Sequence, residues 1–259
     1  GGREHGPRNP STIECPRNRD RELHVEGKRQ VTPKFKAVGD QALLVSFAEV
    51  FSDEIHDRVM ALDRAISQNP PVGMIEVVPA LVNLLVSFDP CQTTHEAIAT
   101  DLERYLTTLT LEKVTGTLRH VDVCYDTSLA PDLEAVATAT SLSQDAVINA
   151  HLAGEFSVLM YGFSPGYAYL SGVPNNIRVP RKPAAVRDVP GGSVIIADQQ
   201  CLVTTLTMPT GWSRIGRSPT QILTGDPNHP FLFDVGDKIV FRRIDLAEFD
   251  RLSKAAHYV

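Results

Sequence analysis

Beyond residue 156 the chain abandons helical periodicity, and short β-branched stretches alternate with glycine and proline. That change of texture limits the fold more than any other feature. Val158-Leu159-Met160, Val189-Pro190, Val194-Ile195-Ile196, Leu202-Val203-Thr204, Phe231-Leu232-Phe233 and the run from Lys238 to Phe241 are each of strand length. Branched and aromatic residues at this spacing, separated by breakers, predict a small barrel or sandwich with no long helix after residue 156. Two helical patterns lead into it, one opening at Asp132 to Val136 and one from Ser143 to Ala153 that carries Val147, Ile148 and Leu152.

The preceding stretch reads differently. Gln41 to Phe47 is a short apolar run after a Gly39-Asp40 turn signal. Ser52 is placed as an N-cap, Ile55, Val59, Leu62 and Ile66 recur on one helical face, and Asn69-Pro70-Pro71 stops the helix. Two strands follow, Met74 to Val78 and Leu81 to Phe88. Thr93 or Thr94 then caps a second helix with Ile98, Leu102, Leu106 and Leu109 on its apolar face. A fourth strand at Leu118 to Tyr125 completes a β-α-β-β-α-β order, the split βαβ or ferredoxin-like arrangement. The fold class expected is therefore α+β, with one domain over 34–125 and a second over 126–259. Residues 1–33 hold charges of both signs and almost nothing apolar. Such a segment cannot offset its ordering entropy by burial, so a disordered extension is expected there.

Composition narrows the functional classes. A net charge of −6 over 259 residues argues against a general binder of nucleic acid or of anionic membranes. No apolar run approaches the roughly 20 residues of a membrane helix, and the first 30 residues lack the apolar core of a secretory signal. The four cysteines (Cys15, Cys91, Cys124, Cys201) are dispersed, which suits a reducing cytoplasm. The eight histidines share no metal-ligand spacing, so no metal site is expected.

Three segments carry chemistry. In Tyr161-Gly162-Phe163-Ser164-Pro165-Gly166-Tyr167, three aromatics crowd a backbone that must turn sharply. They either line a concave site or plug one end of a barrel. Val179-Pro180-Arg181-Lys182-Pro183 and Val186-Arg187-Asp188-Val189-Pro190 hold arginines on stiff backbone, which suits planar recognition of a carboxylate or phosphate. The plainer alternatives are an Arg187–Asp188 pair or an exposed arginine on a loop. Trp212, the one tryptophan, precedes Arg214 and Arg217, and His151 closes the helix before the aromatic loop. Neither a G-x-S-x-G nor a glycine-rich nucleotide loop is present.

These motifs resemble the KipI family, which comprises the B-type subunits of 5-oxoprolinase and was formerly known as allophanate hydrolase subunit 1. The resemblance runs from Val38 to Ile244. Gly39 to Val45 is similar to the family's opening strand, Glu76 to Pro79 and Leu84 to Pro90 to its hairpin. Gly162 to Leu170 is similar to its most characteristic motif, Gly211-Trp212 with Ile215 to Pro219 to its second, and Val235 to Phe241 to its last strand. Three positions depart from the pattern. The usual G-x-Q-T-G reads Asp198-Gln199-Gln200-Cys201-Leu202, a second P-R reads Val186-Arg187, and Gly-Gly-Trp reads Thr210-Gly211-Trp212.

The resemblance implies a ferredoxin-like domain followed by a cyclophilin-like β-barrel. It also implies a companion C-type subunit, itself cyclophilin-like, and a third LamB/YcsF-like subunit. Such a complex couples ATP hydrolysis to opening 5-oxoproline to glutamate, with O-phosphorylation activating the resonance-stabilised lactam. The binding site expected on that basis is one concavity at the barrel mouth. Arg181, Arg187 or Arg217 would hold a carboxylate, Gln200 and Tyr161 the amide, and Phe163, Pro165, Tyr167 and Trp212 the walls. His151 would transfer protons. ATP is expected for the complex, with binding to this chain left open. The family also allows a regulator that binds a sensor histidine kinase, and a urea-carboxylase-like carboxyltransferase subunit working with a biotin partner.

Overall fold

The structure, a computed structural model, describes residues 1–2, 32–111 and 116–256. The chain divides into two units, 1–32 and 33–259, and every element below belongs to the second. The disordered extension expected over 1–33 falls almost wholly outside the described residues.

The first half builds a four-stranded antiparallel sheet from β1 (Lys34–Val38), β2 (Ala42–Ser46), β3 (Met74–Pro79) and β4 (Asn83–Phe88), in the order β1-β2-β4-β3. Helices α1 (Asp53–Gln68) and α2 (His95–Thr108) touch each other and lie against this sheet. Both start where the capping residues require. The Ser52 side chain accepts from Ile55 N at 3.3 Å, and Thr94 from Ala97 N at 3.3 Å. Ile55, Val59, Leu62 and Ile66 are buried with Leu84, Val86 and Phe88. Each such side chain contributes roughly 1.5–3 kcal/mol by leaving water.

One expectation is corrected here. The strand at Leu118 to Tyr125 does not complete this sheet. As β5 (Leu118–Cys124) it enters the barrel, and β1 fills the edge next to β2. The reason lies in side-chain burial. Val121 and Val123 are fully buried in the barrel core, whereas β1 is a largely exposed edge strand on which only Phe35 is half-buried.

Two helices, α3 (Leu133–Thr140) and α4 (Gln144–Leu152), separate β5 from the remaining strands. These are β6 (Phe156–Tyr161), β7 (Ala168–Ser171), β8 (Val186–Val189), β9 (Ser193–Ala197), β10 (Gln200–Val203), β11 (Met208–Thr210), β12 (Ser213–Arg217) and β13 (Lys238–Ile244). Seven strands close a barrel in the order β10-β7-β6-β13-β5-β12-β9, and β8 pairs with β11 as a separate ribbon. Alternation along each strand fills the interior with Phe156, Val158, Leu170, Val194, Ile196 and Phe241. Val136, Val147 and Ile148 of the two helices join the same core. A final helix, α5 (Leu246–Ala256), contradicts the expectation of no long helix after residue 156. Its Phe249 buries against Cys124 and Ile244, so tertiary packing rather than local propensity holds it.

The barrel is closed by β5 and β13, which run parallel in continuous register from Leu118↔Lys238 to Cys124↔Ile244. Asp237, 2% exposed, locks the start of that pair. Its carboxylate accepts from Thr117 N at 2.7 Å, Arg119 Nε at 2.8 Å and Asp234 N at 3.0 Å. Burial pushes its pKa up, but these donors outweigh burial and hold it below the ordinary aspartate value. Its contribution to stability is therefore complete above about pH 4 and is lost as pH falls through the lower folded-state value. Replacing Asp237→Ala strands Arg119 and two backbone donors and is expected to cost about 3 kcal/mol in urea unfolding. Asp122→Ala, which breaks the solvent-facing pair with Arg242, is expected to cost under about 1 kcal/mol.

Candidate functional site

Strand alternation decides where each expected site residue goes. His151, in the last turn of α4, is fully buried inside the barrel end. The Tyr125 hydroxyl lies 2.7 Å from its Nδ1 and the Cys201 thiol 3.6 Å from its Nε2. The Phe156 and Phe241 rings stand 5.0 and 4.5 Å away. Burial alone pushes the imidazole down to about 3 and pushes the Cys201 thiol up. The proton-transfer role expected of His151 is corrected accordingly. It is a neutral core histidine with both nitrogens occupied, not a base open to substrate.

Tyr161 ends β6, and its hydroxyl donates to the Phe233 carbonyl. Its ring lies 5.1 Å from Phe231, so it secures the 231–233 segment instead of presenting a donor to an amide. Burial, then Asp234 and Asp237, push the phenol up.

A second group does converge, on the outer face of the barrel. Tyr167, Ile195, Ala197, Leu202 and Trp212 form one buried cluster, with Tyr169 and Met208 packed on it. The Tyr169 ring meets Trp212 edge-on at 5.9 Å, and the Arg181 guanidinium lies 5.4 Å from the indole. The turn before Tyr167 is shaped by its hydrogen bonds. Tyr167 N donates to Ser164 O at 3.1 Å and Thr205 Oγ1 to Pro165 O at 2.7 Å. Gly166 has φ +72°, and a Cβ there would stand 2.8 Å from Leu223. Phe163 is held at φ +69°, uncommon for an aromatic residue, with its side chain 72% exposed and 5.6 Å from the Tyr167 ring.

Arg187 is exposed on β8 and makes no ion pair with Asp188. Arg217 donates from Nε to Gly191 O at 3.2 Å and covers Phe249 at 5.7 Å. Burial, then the neighbouring Arg214, lower its pKa. Arg214 Nε is buried with no partner. Among the described residues Arg181, Arg187, Arg214 and Arg217 have no carboxylate within ion-pair distance.

Gln200 lies elsewhere. It opens β10 and lines a groove of about 820 Å³ between α1 and the barrel, together with Arg178, Gln199, Ser157 and Lys238. No other expected site residue lines that groove. The single concavity expected is therefore replaced by an outer arginine-aromatic face, a separate groove, and a sealed core histidine. Arg178 and Lys238 were missed because nothing in their local sequence marks them, and only the fold brings them beside Gln200. The departures from the family pattern are now explained in part. Cys201 turns inward against His151 and Leu202 outward into the Tyr167 cluster, so both replacements serve packing.

Residues 33–233 match the family described as the carboxyltransferase domain, subdomains C and D. The chain belongs to this family. It is 32% identical over 227 residues to the B-type subunit of 5-oxoprolinase from Bacillus subtilis (strain 168), covering 83% of this chain and 95% of that protein. The crystal structure of TTHA0988 is similar at a TM-score of 0.69 with 30% identity, over 80% of this chain. This chain spans only 40% of that protein. The urea carboxylase of Kluyveromyces lactis has a TM-score of 0.74 over 86% of this chain and 23% of its own. At 17% identity that likeness shows the fold alone. The closed barrel fits a cyclophilin-like domain of this family.

Among the described residues no group of three His, Cys, Asp or Glu side chains is placed to hold a metal, and no helix is long and apolar enough to cross a membrane. The placement of His151 yields a direct measurement. Its ring resonances are expected to stay at their neutral positions between pH 8 and pH 5 in an NMR titration. A midpoint near the ordinary value of about 6.5 would mean that the ring reaches solvent.

Proposed function

We propose that this chain is the B-type component of an ATP-dependent 5-oxoprolinase-like complex that opens a lactam ring. The observation carrying this reading is the match to a B-type 5-oxoprolinase subunit over 95% of that relative's length. In the reaction water supplies a hydroxyl to the lactam carbonyl carbon and a proton to the ring nitrogen as the C–N bond breaks, and 5-oxoproline becomes glutamate. A second water is consumed as ATP passes to ADP and phosphate.

Several features support one component of an assembly instead of a complete enzyme. The described Cys–His pair, Cys201 with His151, is sealed in the core. The barrel meanwhile presents Arg181, without a carboxylate partner, against a ring cluster, with Phe163 standing out into solvent. Arginine and aromatic residues with an exposed anchor are what a protein interface favours. We assign this face to the companion C-type, cyclophilin-like subunit. A third, LamB/YcsF-like subunit completes the assembly. The described residues offer neither a glycine-rich phosphate loop nor a metal cluster, so the nucleotide is assigned to the complex, with no step routed through this chain.

The N-terminal part ending at α2, residues 34–108, is read as a permuted ferredoxin-like domain. Its order β1-β2-β4-β3 has the edge position filled by a strand that precedes the βαββα run instead of following it. The barrel with its leading helices, β5 together with 126–259, is read as the cyclophilin-like domain, and the compartment assigned is the cytoplasm.

The test is to purify the chain alone and with its C-type and LamB/YcsF-like partners, and to follow release of phosphate and glutamate. Release dependent on 5-oxoproline is expected only from the assembly. Arg181→Ala is expected to weaken association with the C-type partner about tenfold, or ~1.4 kcal/mol. Identical background from every preparation would sink the reading.

A further inference from the structure

The groove between α1 and the barrel carries charge that the protein itself leaves unused. Five of its lining residues are charged, Asp53, Asp57, Glu155, Arg178 and Lys238. Among the described residues none of the five has an ion-pair partner. Four of them are exposed and Asp57 is half-buried, so all five are open to a ligand in the groove.

The charges come from both walls, and Glu155, just before β6, adds an acid on the barrel side. Asp53 and Asp57 stand at i and i+4, hence on one face of α1, with His56 and Met60 beside them. The opposite face of that helix is the one buried on the sheet. Two carboxylates at this spacing repel each other unless a cation lies between them.

The barrel wall carries both cations, beside Glu155. Lys238 opens β13, pairs in register with Ser157 of β6, and donates from Nζ to the Ser157 hydroxyl. Arg178 follows the turn at Asn175–Ile177, and its Nε is anchored on Val173 O at 2.9 Å. The rest of the guanidinium has no protein acceptor among the described residues. Gln199 and Gln200 add neutral donors and acceptors on the same wall.

The barrel side of the groove is built of closely apposed backbone. At Gly172, φ +106°, a Cβ would come within 2.2 Å of the Glu155 carbonyl oxygen. Side chains cannot fill the space from that position. A volume of about 820 Å³ is in the range of small-molecule sites.

We infer that this groove is a binding site for a small acidic α-amino acid, its carboxylates on Arg178 and Lys238 and its ammonium on the Asp53–Asp57 face of α1. The charge pattern alone asks for a zwitterion. Naming the ligand as glutamate, the ring-opened product, rests on the function proposed above. The lactam itself lacks the ammonium group and matches only the barrel wall, so the groove favours product over substrate.

Calorimetry on the full chain with three probes separates these possibilities. L-Glutamate carries both charges, glutarate lacks the ammonium, and 5-oxoproline has the nitrogen in a neutral amide. Glutamate is expected to bind at least about tenfold more tightly than either of the others. Arg178→Ala and Asp57→Asn are each expected to raise its Kd about tenfold. Arg104→Ala, on the exposed side of α2, is expected to leave it unchanged. Asp57→Asn keeps the side-chain shape, so its effect does not depend on a folding defect. Equal affinity for glutamate and glutarate, indifference to both groove substitutions, or no glutamate binding up to about 20 mM overturns the inference. A complex that hydrolyses 5-oxoproline while the chain ignores glutamate defeats this inference alone. Glutamate binding by a chain whose assembly has no lactam activity defeats the proposed function alone.

Discussion

A ring of strands in which every neighbour is antiparallel must contain an even number, and this barrel contains seven. One parallel junction is therefore obligatory, and the chain makes it between β5 and β13, the barrel's first and last strands. Everything positioned on the barrel depends on that junction holding. The buried Asp237 is the device that holds it, gathering Thr117, Arg119 and the Asp234 turn on one carboxylate. Lys238, next in sequence, begins β13 and is thereby set opposite Ser157 at the edge of the groove. Closure and groove geometry thus share adjacent residues.

Barrel alternation explains why the expected cluster of functional side chains separates. On β10, Cys201 faces the core and touches His151, while Leu202 faces outward and joins Tyr167 and Trp212. Residues adjacent in sequence are then a barrel wall apart. The same rule explains what could be read in advance. Ser52 and the spacing of Ile55, Val59, Leu62 and Ile66 announce α1 because its cap and apolar stripe are local. Strand β1 is an exposed edge, and β5 is claimed by a partner far along the chain, so neither assignment is written in local pattern. The aromatic loop was legible as a turn crowded by rings. That its rings divide between a core cluster, the exposed Phe163 and the Phe231 contact of Tyr161 was not, because each contact comes from a different distant strand or loop.

The distribution of satisfied and unsatisfied charge separates scaffold from working surface. Asp132 accepts from both Lys182 and the Arg214 backbone, and Asp237 from three donors, so the acids that hold loops in place are fully engaged. Arg181 of the outer face and the mixed charges of the groove are left without counterions among the described residues. Desolvating such groups without a partner is costly, and they persist only where solvent or a ligand can reach them.

The parallel junction also bears on how the molecule is made. Thr117 and Asp237 are 120 residues apart, and the barrel remains an unsealed sheet until the second of them has been synthesised. The N-terminal sheet has no such dependence, since all four of its strands precede residue 89. On the ribosome the first half can therefore mature while the second waits with two free edges. Those edges are open to mispairing for as long as translation takes to deliver the closing strand.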